Sequence, residues 1–292
     1  MTDFKIEILT ADQQEKFHAV HQQLQNDYTS YLDYKLNKLN LPDPTENYLS
    51  KNDYLNEEEH EWKFMIHRYL RGRKWNVTHT LKSIRDTIQW RQENNVDRIL
   101  LDTPQDDIDL SKQYAPYANH GFTRQHSPIY IEKTGRVKLN KCLERFSLDQ
   151  LVKGHIYLQE FNCRRARQKS RECGQHVETI VTIMDFDGLE LMTGRRALPL
   201  LKQILNIDNN HYPERMGQAF LLNTPRFFPV LWNMCKSFVD PVTASKVFVL
   251  KTNEEATILL QHIDSNQLPQ EYQGTCQSCP TAPNCVPVYE LP

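Results

Sequence analysis

The segment from Phe227 to Val239 carries only Asn233, Lys236 and Ser237 as polar residues and reads as a helix. A helix that is apolar nearly all round must lie in a core, face a membrane or cover a greasy cavity. Two polar motifs bracket the region, His211-Tyr212-Pro213-Glu214-Arg215-Met216-Gly217 before it and Asp240-Pro241-Val242-Thr243-Ala244-Ser245-Lys246 after it. Gln218 to Asn223 reads as a buried strand, and Thr224-Pro225 suits the N-cap and first turn of the helix that follows. Pro229 falls in the second turn, where a missing N–H loosens the helix start. As a plain core helix the segment needs partners all round. As a moving lid it presents Phe227, Phe228, Leu231, Trp232, Met234 and Phe238.

Upstream, the pattern changes once. Thr10 and Gln13 form a capping box that opens a helix running to about Leu39, broken by Pro42 and Pro44. Glu57 to Arg71 places Trp62, Met65, Ile66, Tyr69 and Leu70 on one helical stripe, and Asn76 caps a second helix with Leu81, Ile84 and Ile88 inward. After Pro116 strands enter: Pro128 to Ile131, closed by a Lys133-Thr134-Gly135 turn, then Glu178 to Asp185 with Ile180, Thr182 and Met184 on one face. Ser147 and Gln150 form a second capping box, opening a helix to about Ser170. Another helix carries Leu198, Leu201, Ile204 and Leu205, Lys246 to Leu250 is a further strand, and Asn253 caps a last helix through Ile263. Strands alternating with helices of this length imply right-handed crossovers and a mainly parallel sheet, an α/β class. The expected organisation is an N-terminal extension over residues 1–50, a helical part over 51–115, an α/β domain over 116–275 and a Cys-bearing tail over 276–292. The extension and the tail read as appendages.

Composition excludes several function classes. With 35 basic and 37 acidic side chains the net charge is −2, so no global basic field argues for nucleic acid. No apolar run approaches the roughly 20 residues that a membrane span needs, and Met1 to Lys5 shows no signal-peptide core. Seven cysteines, an odd number, fit a reducing compartment. The expectation is a cytoplasmic protein. Asn76-Val77-Thr78 has the glycosylation spelling, taken here as chance. There is no Gly-x-Ser-x-Gly elbow and no Gly-rich phosphate loop. His60-Glu61 begins a metalloprotease-like string, but Phe64 stands where the second histidine belongs. Cys276, Cys279 and Cys285 give Cys-x-x-Cys and a third thiol six residues on. A structural zinc site wants four ligands, and the tail holds no histidine, so it reads as a disordered segment with free thiols and no metal. A redox enzyme acting through Cys276 and Cys279 is the weaker alternative. His155, His176 and His262 are isolated and read as packed or surface histidines.

Several ordered motifs carry a resemblance. Arg68-Tyr69-Leu70-Arg71-Gly72-Arg73-Lys74-Trp75, with Trp90-Arg91 later, resembles the helical N-terminal part of CRAL-TRIO proteins. Ile183-Met184-Asp185-Phe186-Asp187-Gly188, Tyr212-Pro213-Glu214-Arg215-Met216, Asp240-Pro241-Val242-Thr243 and Leu268-Pro269-Gln270-Glu271-Tyr272 are similar to that family's lipid-binding domain, in the same order. The fungal secretory phosphatidylinositol transfer subgroup is the nearest in pattern, and the likeness spans about residues 57–275. It implies an apolar pocket over a sheet floor, a gate helix at Phe227–Val239, and phosphatidylinositol held by Arg73, Glu214, Thr243 and Lys246. Their chemistry suits that task. Arg73 has forked donors for a phosphate, Thr243 adds a hydroxyl, and Glu214 can accept from inositol hydroxyls or compensate Lys246.

The family's second pocket, for phosphatidylcholine, is matched less well. Tyr130 and Thr182 stand where the pattern wants them. Ile180 replaces a serine, Gln159 a tyrosine, and Ala118 or Asn119 another. The resemblance therefore implies weak phosphatidylcholine binding and a different second hydrophobic ligand, for example a sterol. Withdrawing a two-chain lipid of about 30 methylenes from water is worth roughly 0.8 kcal/mol for each, so a carrier needs a closed pocket with a gate. The implied function is non-enzymatic. A monomer without cofactor carries phosphatidylinositol between membranes or presents it to a phosphoinositide kinase, from the cytoplasm, on Golgi, endosomal or ER surfaces. The rival reading is a lipid-sensing scaffold that recruits a partner through residues 1–50.

Overall fold

The computed structural model describes residues 9–38, 51–235 and 239–289. They divide into two compact units, Met1–Asp102 with Asn210–Glu214, and Thr103–Asn209 with Arg215–Pro292.

The first unit is helical: α1 (Ala11–Gln23), α2 (Gln25–Asp33), α3 (Lys51–Gly72), α4 (Val77–Glu93) and α5 (Ile99–Asp102). The Thr10–Gln13 capping box is present, so α1 starts where the sequence places it. The single helix expected up to Leu39 is interrupted at Leu24, and α2 runs into a π-turn at Tyr34–Lys38. Leu39, Pro42 and Pro44 lie outside the described residues. The extension is no appendage. Phe17, Val20 and Leu24 are buried against Trp62, Ile66, Tyr69 and Leu70 of α3 and Leu81 and Ile84 of α4. The apolar spacing that makes α3 and α4 amphipathic leaves a groove for that third stripe. Asp97 brings a carboxylate whose side chain is only 6% exposed into this unit. Burial opposes its ionisation, but Arg91 at 2.6 Å outweighs that and holds the carboxyl below its usual range. The end of α3 closes with Trp75 N–H donating to Leu70 O at 2.7 Å, with Lys74 and Trp75 both at positive φ (52° and 60°). Asn76 then caps α4 by accepting from His79 N–H at 2.8 Å, as expected.

The second unit holds α6 (Gln105–Tyr114), α7 (Leu139–Arg145), α8 (Leu148–Cys173), α9 (Leu191–His211, whose last two residues belong to the first unit), α10 (Phe228–Cys235), α11 (Pro241–Ser245) and α12 (Glu255–His262). Its sheet has the order β1 (Tyr117–Phe122), β2 (Pro128–Glu132), β3 (Ile180–Asp185), β4 (Met216–Leu222) and β5 (Val247–Val249). β1 pairs antiparallel with β2, and the other three pairings are parallel. The Ser147–Gln150 capping box opens α8. Three local expectations are corrected. The apolar helix starts at Phe228, with Pro225 O accepting Phe228 N–H in a preceding turn, so Thr224 is not its cap. Pro229 is therefore the second helical residue, where its missing N–H has no intrahelical partner to lose. Asn253 is not the cap of the last helix, which follows Glu254 without a side-chain hydrogen bond.

Strand alternation gives the sheet two faces of different character. On one, Ile129, Ile131, Val181, Ile183, Phe220 and Leu222 form the main core with Leu259, Ile263, Leu268, Tyr272 and Val286. Two of the sequence motifs meet at its rim. Asp185 accepts from Tyr272 OH (3.1 Å), Asn223 Nδ2 (2.9 Å) and Asp187 N–H (3.0 Å), so a buried carboxylate at the strand end is well partnered.

Candidate functional site

The other face of the sheet carries the candidate site. The register aligns Asn119, Tyr130, Thr182, Ala219 and Val247 across the five strands, and places Met184 beside Leu221 in the next row. Tyr130, Thr182 and Met184 are only half-buried, although they stand in central strands. Tyr130 and Thr182 are thus adjacent, as the sequence requires of a shared pocket. Asn119, not Ala118, is the third member; Ala118 packs with the opposite core. Asn119 Oδ1 is buried with no hydrogen-bond partner. Ile180 is buried at 6% exposure at the start of β3. It fills its place with hydrocarbon where a hydroxyl could have faced a ligand.

A polar belt borders this face. Tyr130 OH donates to Glu132 Oε2 at 2.8 Å, and Thr134 Oγ1 donates to Glu132 Oε1 at 2.9 Å. Burial raises the Tyr130 phenol well above its ordinary value, and the neighbouring Glu132 carboxylate adds to that. It remains a neutral donor. From α8 and α9 come His155, Gln159 and Asp208. His155 Nε2 lies 2.7 Å from Asp208 Oδ1, and Gln159 Nε2 donates to the same oxygen at 2.8 Å. Burial favours neutral imidazole, but the Asp208 carboxylate outweighs it and the pKa of His155 is raised. His155 is therefore neither isolated nor a surface residue; it anchors α8 to α9, and Gln159 is committed to the same pair. Sequence reading missed Asp208 and Glu132 because neither sits in a recognisable motif.

Two helices of this unit keep their apolar faces incompletely sealed. In α9, Leu198, Leu201, Ile204 and Leu205 are all half-buried, and no residue of the helix is fully buried. In α10, Phe228 (7% exposed) and Leu231 (6%) point inward, while Val230 (47%) and Met234 (38%) face outward. Phe228 packs on Phe186 with ring centroids 5.0 Å apart, joined by Leu221, Met184 and Trp232. Phe227 is half-buried in the turn ahead of the helix, and Phe238 lies outside the described residues. Leu231 docks on Gly194 of α9, where a Cβ would stand 2.5 Å from Leu231 Cδ1. Glycine at that position lets the two helices approach. A separate concavity of about 900 Å³, lined by Lys133, Arg136, Lys138, Asp185, Asp187 and Glu190, includes none of these apolar side chains. Charges of both signs line it, and Arg136 pairs with Asp187 across it.

The headgroup residues expected from the sequence divide between the units. Arg73 and Glu214 belong to the first; Thr243 and Lys246 belong to the second. Arg73 is half-buried. Its Nε donates to Ser83 Oγ at 2.9 Å, its Nη2 to Asn210 O at 3.4 Å, and its guanidinium lies 5.7 Å from the Tyr69 ring centroid. Glu214 is held at φ 59°, a left-handed conformation that a non-glycine residue adopts at a cost of order 1 kcal/mol. The preceding His211 stacks on Trp90 with centroids 4.0 Å apart and pairs with Thr87. Burial, with help from Arg91 and Arg73, pushes its pKa down to about 4, so this motif histidine is a neutral packing group. Thr243 lies in α11, which Asp240 caps by accepting Val242 N–H at 2.8 Å with Pro241 at its first position. Lys246 ends that helix, donating its N–H to Thr243 O at 3.0 Å and accepting Ala219 N–H at 2.9 Å. The backbone thus fixes Thr243 and Lys246 against β4.

The tail departs from expectation. Cys276 (1% exposed), Cys285 (3%) and Val286 (0%) are buried, so the described part of the tail is anchored in the second unit rather than forming a disordered segment.

Comparison with known proteins agrees with this architecture. The CRAL/TRIO domain family matches residues 112–274. The phosphatidylinositol/phosphatidylcholine transfer protein SFH7 of Arabidopsis thaliana is 33% identical over 239 residues, covering 80% of this chain and 43% of that protein. The SEC14 cytosolic factor of Eremothecium gossypii is 32% identical over 208 residues, 71% of this chain and 67% of that one. The chain thus spans less than half the length of the plant relatives it matches. The crystal structure of Sfh5 superposes with a TM-score of 0.67 at 17% identity, over 94% of this chain and 90% of that one, a likeness of fold. The alternating strands and helices, the half-sealed sheet face under α10 and the matched stretch lead to one assignment: this chain belongs to the CRAL/TRIO domain family, among the Sec14-like proteins.

Proposed function

We propose that this chain is a non-enzymatic carrier that takes phosphatidylinositol from one membrane and releases it at another, or presents it to a lipid kinase. The observation that carries this reading is the half-buried face of Tyr130, Thr182 and Met184, bordered by helices with incompletely sealed apolar stripes. A protein with a fully evolved core would seal such a face; a lipid acyl chain can complete it. Relatives named as phosphatidylinositol/phosphatidylcholine transfer proteins support the ligand class. Arg73, Glu214, Thr243 and Lys246 are proposed as headgroup ligands and α10 as the gate, opening when bilayer hydrocarbon replaces its inward contacts. No helix among the described residues is long and apolar enough to cross a membrane, so contact with bilayers in this reading is peripheral. The working compartment is proposed to be the cytoplasm.

The test is transfer of labelled phosphatidylinositol between vesicles. Lys246→Ala is expected to abolish transfer with the circular dichroism and melting temperature retained. Arg73→Ala is expected to abolish it too, with some loss of stability from the Ser83 and Asn210 contacts. Undiminished transfer by both variants overturns the site assignment.

A second ligand other than phosphatidylcholine is favoured by two observations, the burial of Ile180 and the unpaired Asn119 Oδ1. The first removes a donor for a phosphate. The second offers an acceptor to a ligand hydroxyl, as a sterol would carry. Equally efficient transfer of phosphatidylcholine and phosphatidylinositol overturns this reading. The scaffold alternative, with residues 1–50 as a recruiting arm, is disfavoured because Phe17, Val20 and Leu24 are used in the first unit's own core.

A further inference from the structure

Three thiols and one imidazole converge at a place that the lipid reading does not use. Cys276, Cys279 and Cys285 come from the C-terminal segment and His120 from β1, and one ligand atom of each lies within 4.8 Å of all the others. His120 is 4% exposed, and neither ring nitrogen makes a hydrogen bond of good geometry, although the Gln267 backbone carbonyl lies near the ring. An imidazole this buried and poorly partnered is costly to leave in a folded protein unless something binds it. The sequence offered only the three cysteines. The missing fourth ligand sits in β1, a strand whose Tyr-Ala-Asn-His-Gly-Phe spelling hides it.

We propose that His120, Cys276, Cys279 and Cys285 form a structural Zn2+ site that ties the C-terminal segment to the edge strand β1. The geometry suits a tetrahedral ion. With Zn–S near 2.3 Å and Zn–N near 2.0–2.1 Å, ligand atoms at the corners of a tetrahedron lie about 3.5–3.8 Å apart. The observed Cys279–Cys285 sulfur separation of 3.1 Å and the overall 4.8 Å limit straddle that spacing. The ligand chemistry is equally specific. Thiolate-rich sets with one imidazole select zinc over the hard cations, and four protein ligands leave no open position for water, which marks a structural rather than a catalytic ion. Binding releases the three thiol protons to solvent. The complex carries a net charge of −1, and Arg165, donating to the carbonyls of Gly121 (2.9 Å) and Ile129 (3.3 Å) beside His120, supplies a neighbouring positive charge. The ion also serves the fold. β1 is an edge strand, and a metal-pinned segment over it blocks pairing with another chain.

The competing reading is a Cys279–Cys285 disulfide, which would leave Cys276 and His120 unused. The full-length protein, purified without chelators, is expected to contain about one zinc per chain by elemental mass spectrometry. Exchange with cobalt is expected to give the visible bands of a tetrahedral thiolate complex. His120→Phe should lower the metal content or weaken zinc retention against a competing chelator at least tenfold, whereas His120→Cys, which keeps four ligands, should retain zinc. Because the cobalt spectrum is read on the unmodified protein, misfolding of a variant does not blur the result. Protein without zinc that also fails to take up zinc or cobalt after reduction, or a Cys279–Cys285 disulfide that persists in zinc-loaded protein, overturns the proposal.

Discussion

The two faces of the central sheet are built from the same five strands and behave as opposites. One presents Ile129, Ile131, Ile183, Phe220 and Leu222 at 0% exposure, sealed by α12 and the segment ending at Val286. The other presents Tyr130, Thr182, Met184 and Asn119, half-buried and bordered by the His155–Asp208 pair. Alternation within single strands is enough to create the contrast, since neighbouring residues point to opposite sides. A sheet that is dry and finished on one side and unfinished on the other has stability on the first and vacancy for a ligand on the second.

The contrast can be broken or sharpened in four ways. The largest effect is expected from truncation. Phe220→Ala on the sealed face should cost about 3–5 kcal/mol in urea unfolding of lipid-free protein, whereas Met184→Ala on the other should cost less than about 2. Equal losses would mean the second face is ordinary core. Next comes ligand linkage. Phosphatidylinositol at about one hundred times its dissociation constant should stabilise the protein by roughly 2.7 kcal/mol. That increment should shrink in a Thr182→Phe variant and survive in Phe220→Ala. Third is pH. The His155 pKa is raised, so the stability from its Asp208 pair is complete below about pH 6.5 and is lost as pH rises through the higher folded value. Wild-type stability should therefore decline above about pH 6.5 on that account, and Asp208→Asn should flatten the decline. The smallest effect belongs to Gly194→Ala, whose new methyl pushes Leu231 aside. It should change stability by less than about 1 kcal/mol while raising the rate of lipid release several-fold.

Much of this was legible in the chain. The capping boxes at Thr10 and Ser147, the Asn76 cap and the stripes of α3 and α4 rest on local chemistry, and local chemistry placed them. The mainly parallel character of the sheet followed from alternation, and the family from several motifs in sequence order. What escaped depends on long-range partners. β1 was missed because Asn119 and His120 break its apolar alternation, and Gly121, at φ 26°, disrupts it further. The role of His155 needed Asp208 from another helix. The start of the apolar helix was misplaced because Thr224-Pro225 has good cap spelling but is used in a turn. The burial of Cys276, Cys285 and Val286 left no mark in the composition of their segment. The split of Arg73 and Glu214 from Thr243 and Lys246 is a property of contacts that no spacing reveals.

The burial of Val286 has a practical corollary for anyone cutting this chain into pieces. The family similarity ends at residue 274, an inviting place for a shortened expression product to stop. Such a product would lose Val286 from the sealed face's core, together with the buried Cys276 and Cys285, and uncover Leu268 and Tyr272. Exposed apolar surface next to an uncovered strand edge is a recipe for sticking to copies of itself. Its insolubility would then be mistaken for a lack of ligand, when the fault would lie in where the chain was cut.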